Sequence, residues 1–180
     1  MTAHLTQFLL HTPLNAGTAH DLVVRALDGH PSRAPFRLDE GGRLITIVSA
    51  VPLAHLHLGA RLRDVRTKPY QPHPAVGGAY TYQILVCPIR RTEGKGRMIT
   101  ADEEGPFIDH LLTRAGVRAL TAHFTFEGSQ RVPQKGLSLP SGTFSGRLEV
   151  TDPAALQAAL LEGVGRHRTY GYGLLQIMPA

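Results

Sequence analysis

The sequence predicts an α+β protein built from two small units, each a sheet with helices on one face. Short strand-like runs and helix-like segments alternate along both halves of the chain. A glycine-rich, charged stretch at 92–104 separates these halves. The chain has 180 residues, of which 42% are hydrophobic, enough for one large or two small cores. We therefore predict a first domain at 1–91 and a second at 92–180.

The first half contains strand and helix patterns, and glycines mark the turns and the helix end between them. Residues 51–78 are rich in Pro, His and Gly, a composition that predicts a long ordered connecting segment, or excursion, rather than a packed helix or strand. In order, we predict a strand at 5–10, a helix at 18–28 ended by Gly29, a hairpin of 36–38 and 44–48 turning at Gly41 and Gly42, and a strand at 80–89.

The second half ends in the clearest helix of the sequence. Asp152 is a suitable N-cap, Pro153 fits the first helical position, and Gly163 fits the C-terminal cap of a helix over 154–162. Before it we predict a helix at 106–115 ended by Gly116, a strand at 117–126, a hairpin tip at 127–141 and a returning strand at 143–150.

A glycine-rich loop joins this helix to a last strand at 174–178. Its glycines allow close backbone approach, and its amides can form a concave anion site, which favours a phosphate ligand. The order helix, loop, strand differs from the dinucleotide-binding motif, and a tight connection without any ligand remains an equal alternative. The loop glycines are Gly163, Gly165, Gly171 and Gly173.

The net charge of +5 supports a nucleic-acid partner without proving one, because a solvated basic surface has the same balance. Most basic residues are arginine, which suits bidentate phosphate recognition. We predict that the contacts to such a nucleic-acid partner come from Arg90, Arg91, Lys95, Arg97, Arg131, Lys135, Arg166 and Arg168.

Other site classes lack support in the sequence. His55 and His57 alternate without a convincing Cys, Asp or Glu partner, so we predict no metal site. The lone Cys87 lies in an apolar run and predicts a buried thiol in a reducing compartment. No secretory signal or membrane-length apolar segment is evident, so we expect a cytoplasmic protein with no membrane partner. A Gly-x-Ser-x-Gly motif for acyl transfer is also missing.

Three segments near the end of the chain form a distinctive set: 144–153 (FSGRLEVTDP), 163–165 (GVG) and 170–175 (YGYGLL). Together they resemble the C-terminus of the CasE family, the CRISPR RNA endoribonucleases of the Cascade complex. Upstream, Lys68-Pro69-Tyr70, His73-Pro74 and the helix that carries His20 are similar to comparable family segments. The likeness spans nearly the whole chain and is most specific in its last 40 or so residues.

This resemblance implies two tandem ferredoxin-like (RAMP-type) domains that bind the stem-loop of a CRISPR repeat. It further implies one cut per repeat without metal or cofactor, by attack of a ribose 2′-hydroxyl that leaves a 2′,3′-cyclic phosphate and a 5′-hydroxyl. Other Cascade subunits are the implied partners. A-form RNA stems are read mainly through shape and phosphates, which agrees with a basic surface.

The resemblance implies that His20 is catalytic, with Arg25 stabilising the reacting phosphate. Histidine gains and loses a proton near neutral pH, and a helix N-terminus attracts phosphate and favours neutral imidazole. The family often has a tyrosine shortly before this histidine, where this chain has Asn15, Ala16 and Gly17. A noncatalytic RNA-binding subunit is therefore the alternative, and a nucleotide-binding enzyme unrelated to RNA is a weaker third.

Overall fold

The computed structural model describes residues 3–27, 34–39, 41–53, 61–92 and 95–180. The described part of the chain contains two four-stranded antiparallel sheets, which agrees with the predicted α+β class. The elements are β1 (Ala3–Leu10), α1 (Ala16–Ala26), β2 (Phe36–Asp39), β3 (Leu44–Ser49), β4 (Leu62–Tyr70), β5 (Ala79–Val86), β6 (Ile89–Thr92), β7 (Lys95–Met98), α2 (Glu104–Arg114), β8 (Val117–Val132), β9 (Leu137–Val150), α3 (Pro153–Glu162) and β10 (Leu175–Pro179).

The two sheets repeat one topology. The first has the order β2-β3-β1-β4 and the second the order β10-β5-β9-β8. In both, the first and third strands are central, the second strand borders the third, and the fourth borders the first. In the second unit the chain runs β5-α2-β8-β9-α3-β10, which is the βαββαβ order of a ferredoxin-like fold.

Each sheet buries one face under helices. In the first unit, Ala19 and Val23 of α1 pack on Phe8, Ile45 and Ile47. The larger core of the second unit forms where α2 and α3 cover the sheet. Its fully buried members include Ile108, Leu112, Phe144, Leu148, Leu156 and Leu160.

Strand β5 pairs with β9 and β10 in the second sheet, although its residues lie within the predicted first domain. Sheet membership therefore divides the chain just before Ala79. The predicted division of the chain into two separate domains between residues 91 and 92 remains a prediction. The predicted strand at 80–89 is wrong at its end, because β5 stops at Val86 and Pro88 separates it from β6.

The sequence pattern did not predict three further strand segments. Edge strand β4, within the predicted excursion, pairs with β1. Strand β7 pairs with β6 in a separate two-stranded ribbon. The predicted hairpin tip at 127–141 is wrong, because β8 and β9 stay paired as far as Val132 and Leu137 and only 133–136 turn the chain.

The helix limits follow from local capping. Helix α1 begins earlier than predicted because the Asn15 side chain accepts the Thr18 amide hydrogen at 2.9 Å. Its predicted terminator, Gly29, lies outside the described residues. The predicted caps of α3 are confirmed: the Asp152 carboxylate accepts from the amides of Ala154 and Ala155, and Gly163 has a φ of 76°. Among the described residues, no helix combines the length and apolarity needed to cross a membrane.

Candidate active site and RNA interface

The glycine loop, residues 163–173, is closed by backbone hydrogen bonds at its base. The Val164 amide donates to the Gly173 carbonyl at 2.7 Å, and the Gly173 amide donates to the Leu85 carbonyl at 2.8 Å. A Cβ at Gly173 would lie 2.0 Å from the Val164 carbonyl oxygen, and its φ is +80°. Both facts require glycine there, so tight packing explains at least this glycine without any ligand.

Within the loop, Arg168–Tyr170 form one 3₁₀ turn. The Tyr170 amide donates to the His167 carbonyl at 2.8 Å. His167 is the one described residue other than glycine with a positive φ, at 59°. A side chain in this conformation is uncommon, and such residues cluster at functional sites. The loop thus holds His167 and Tyr170 at opposite ends of a single turn.

Arg168 contacts the protein backbone. Its guanidinium donates to the carbonyl oxygens of Glu162 at 2.8 Å and Gly163 at 3.2 Å. These acceptors lie at the end of α3, where the last carbonyls lack helical partners and a cation is favourable. Arg168, predicted as an RNA contact, therefore has a structural role in the loop, whereas Arg166 is exposed.

His20 lies against this loop. It is half-buried in the second turn of α1, and its ring centroid is 6.1 Å from that of Tyr170 with an interplanar angle of 64°. The structure thus brings together two features that are 150 residues apart in sequence (170 − 20). It also places Arg25 five residues further along α1, exposed and about 140° around the helix from His20.

The β8–β9 hairpin reaches the same place. Tyr172 is fully buried, and its hydroxyl donates to the Leu139 carbonyl at 3.0 Å and lies 2.8 Å from the Ser141 hydroxyl oxygen. It shares an apolar cluster with Ala16 of α1 and Val132 of β8. Burial raises the pKa of Tyr172 above its ordinary range. The predicted contacts Arg131 and Lys135 are exposed, and Arg131 directly precedes Val132 of this cluster.

The β6–β7 ribbon carries four predicted RNA contacts, and two of them share an acidic partner. Glu103 accepts from Arg90 at 3.0 Å and from Arg97 at 2.6 Å. The hydrogen bond from Arg97 is the main cause that lowers the pKa of Glu103 to about 2. Arg91 and Lys95 on the same ribbon are exposed.

An open groove of about 960 Å³ runs between the ribbon, α2, α3 and the glycine loop. Alanines just after α2 and along α3 line it, among them Ala115, Ala155 and Ala159. The charged side chains in its lining are mostly basic: five arginines and two carboxylates. The charged lining residues are Arg90, Arg91, Arg114, Arg166, Arg168, Glu103 and Glu162.

Sequence reasoning assigned no role to His167, Tyr170 or Arg114. Burial, followed by the charges of Arg166 and Arg91, lowers the pKa of His167 below its ordinary value. Both causes favour the neutral imidazole, whereas a phosphate bound between the two cations would favour the protonated form. His167 could not have been identified from sequence, because its positive φ has no sequence pattern. Arg114 reaches the groove only through the packing of α2 in the folded structure, so no sequence signal could have found it.

Metal and thiol chemistry are the remaining questions about this region. In the described ranges, no three His, Cys, Asp or Glu side chains are grouped so that they could hold a metal ion. His55 and His57 lie outside those ranges. Cys87 is a free, buried cysteine, as predicted, and burial raises the pKa of its thiol to about 11.

Solved structures of known proteins share this fold. A structure of the CRISPR endoribonuclease Cse3 bound to a 19-nucleotide RNA matches with a TM-score of 0.85 and 24% identity, covering 99% of this chain and 100% of that chain. The CRISPR-associated protein Cas6e from Escherichia coli K-12 matches with a TM-score of 0.75 and 18% identity, covering all of both chains. These matches confirm the prediction of tandem ferredoxin-like domains.

Sequence comparison agrees with the structural matches. The CRISPR-associated endoribonuclease Cse3 of Thermus thermophilus is 28% identical over 129 residues, which span 62% of this chain and 61% of that protein. A family model described as CRISPR associated protein matches residues 10–179. The predicted resemblance to the CasE family is thereby confirmed, and the chain belongs to the family of CRISPR-associated proteins.

Proposed function

We propose that this protein is a metal-independent endoribonuclease that binds the stem-loop of a CRISPR repeat and cuts precursor RNA once per repeat. The observation that carries the proposal is the contact of His20 with the glycine loop, beside a basic groove. The similarity of this chain to Cse3, which is named an endoribonuclease and has been solved with bound RNA, supports the proposal. The site joins a proton-transfer group to a surface that attracts phosphates.

The RNA stem would lie along the groove, with its phosphates against exposed cations. Arg91 and Arg166 are exposed there, and the exposed Lys95, Arg131 and Lys135 extend the basic surface beyond it. Arg90 and Arg97 would also contact the RNA once their ion pairs with Glu103 are replaced by hydrogen bonds to phosphate oxygens. Six such contacts would weaken binding roughly 10³-fold between 50 and 200 mM salt.

Cleavage would begin when His20 accepts the proton of a ribose 2′-hydroxyl. The oxygen then attacks the adjacent phosphorus and the bond from phosphorus to the 5′ oxygen breaks. The departing 5′ oxygen takes a proton from water, and the protonated His20 returns its own proton to the solvent. The products are a 2′,3′-cyclic phosphate and a 5′-hydroxyl. A nearby cation would stabilise the charge on the crowded phosphate, and Arg25 is the predicted one.

We also propose that the protein keeps its cleaved RNA and joins a multi-subunit complex in the cytoplasm. Matches to chains of a CRISPR RNA-guided surveillance complex and of E. coli Cascade, at TM-scores of 0.68 and 0.67, support this part of the proposal.

The test incubates the protein in EDTA with an end-labelled RNA that carries a CRISPR repeat from its own genome. We expect a single cut that leaves a cyclic phosphate, and we expect His20→Ala to abolish it. His123→Ala, which changes an exposed histidine on β8, is the matched control and should cleave normally.

Two results would change the proposal. Normal cleavage by His20→Ala would remove His20 as the catalyst. Tight, salt-sensitive binding without any cut by the unmodified protein would favour the noncatalytic RNA-binding subunit.

A further inference from the structure

Tyr170 contacts His20 edge to face. The ring centroids are 6.1 Å apart with an interplanar angle of 64°, within the range that aromatic pairs prefer. Both side chains are half-buried, so the contact shields part of each ring and leaves part accessible. A proton-transfer group needs this combination of restricted motion and access.

The backbone of Tyr170 is fixed by its own loop. Its amide is bonded to the His167 carbonyl, and the next residue, Gly171, has a φ of +89°. A Cβ on Gly171 would lie 3.2 Å from the Phe36 ring, so this turn sits directly against β2. The Tyr170 ring therefore projects from a turn that is held from both sides.

The backbone of His20 is fixed as well. Asn15 caps the helix, and the buried Ala16 and Ala19 hold the start of α1 against the rest of the protein. With the backbone held, the freedom left to His20 is rotation about its side-chain bonds. A neighbouring ring on a rigid turn restricts that rotation.

We propose that Tyr170 is a positioning residue, whose ring orients the His20 imidazole for proton transfer. This inference rests on the proposed function. Because the ring and not the hydroxyl makes the contact, phenylalanine should replace tyrosine at this position. Loss of the ring should slow the chemical step by roughly 2- to 12-fold, the factor that corresponds to an ordinary aromatic pair.

The experiment separates chemistry from binding in four proteins: the unmodified chain, Tyr170→Phe, Tyr170→Ala and Thr169→Ala. The last changes an exposed residue of the same turn and controls for disturbance of the loop. Single-turnover cleavage is measured at saturating protein. Kd is measured with RNA that has a 2′-deoxyribose at the cut site, and thermal unfolding checks the fold. Imidazole NMR signals, with His20 assigned by comparison with His20→Ala, report the ring contact.

We expect Tyr170→Phe and Thr169→Ala to cleave within about twofold of the unmodified rate. Tyr170→Ala should be slower with an unchanged Kd, and the His20 signals should shift because the ring current is lost. Equal losses in Tyr170→Phe and Tyr170→Ala would overturn the inference, since the hydroxyl would then matter. A weaker Kd that accounts for the whole loss would also overturn it, because Tyr170 would then contact RNA.

Failure of this inference differs from failure of the proposed function. If His20→Ala cuts normally or the unmodified protein does not cut, the proposed function fails, and the NMR signals still test the contact. If His20→Ala is inactive while Tyr170→Ala keeps the full rate, only the positioning role is lost.

Discussion

Replacing Gly173 with alanine should open the base of the glycine loop. An L-residue at its φ of +80° costs about 1–2 kcal/mol. The new Cβ would also lie 2.0 Å from the Val164 carbonyl oxygen, a distance that forces the backbone apart. That movement breaks the hydrogen bonds to Val164 and Leu85, each with a net contribution of about 0.5–1.5 kcal/mol. The sum is roughly 2–5 kcal/mol of unfolding free energy.

Gly77 offers a matched control, because its φ is +77° and nothing lies within 4 Å of a Cβ there. Gly77→Ala should therefore lose only the conformational part, about 1–2 kcal/mol. For a chain of this size each kcal/mol lowers Tm by about 2–4 °C. Thermal unfolding should place Tm roughly 4–20 °C lower in Gly173→Ala and roughly 2–8 °C lower in Gly77→Ala.

Equal destabilisation of the two variants would refute the reasoning, since it would show that the loop relaxes around the new methyl group without losing its hydrogen bonds. Cleavage gives an independent readout. Gly173→Ala should cut RNA slowly at temperatures where it remains folded, because Tyr170 no longer meets His20, and Gly77→Ala should cut normally.

Three further predictions concern the surroundings of the site. Tyr172→Phe removes a buried, paired hydroxyl and should lower stability by about 1–3 kcal/mol in thermal unfolding. Tyr82→Phe removes a buried hydroxyl that has no hydrogen-bond partner among the described residues, and it should be neutral or stabilising. The pKa of Glu103 is lowered to about 2, so its contribution to stability is present above about pH 4.5 and is lost as the pH falls toward 2. Over this pH range the Tm of Glu103→Gln should therefore fall less steeply than that of the unmodified protein. Identical curves of Tm against pH would contradict the assignment. Arg166→Ala should reduce the slope of log Kd against log salt by about 0.9, and an unchanged slope would mean that this side chain contacts no phosphate.

The parts of the fold that local chemistry determines were predictable from the sequence. Helix α3 begins and ends where Asp152 and Gly163 predict, because a carboxylate cap and a positive φ act within a few residues. Strand β4 was not predictable, since it is an exposed edge strand without alternating apolar residues. The long hairpin was mispredicted because Gly128 marks an irregularity in a paired strand, whereas glycine in sequence resembles a turn.

The candidate site was predictable only in pieces. His20 and the loop glycines were identified in sequence, but their meeting depends on tertiary structure. Arg168 was predicted to contact RNA because any exposed-looking arginine in a basic loop fits that role, yet its partners are backbone carbonyls that no pattern reveals. The ion pairs of Glu103 were equally unpredictable from sequence, because the β6–β7 ribbon brings its two arginine partners together only in the folded structure.

The contact between His20 and Tyr170 sets the time at which a newly made chain acquires its site. Ribosomes add about 5–20 residues per second, so the 150 residues between the two take about 8–30 s to synthesise (170 − 20). During that interval α1 can fold with the first sheet, but its histidine has no loop to meet. A nascent chain therefore carries an incomplete candidate site until the glycine loop has been made.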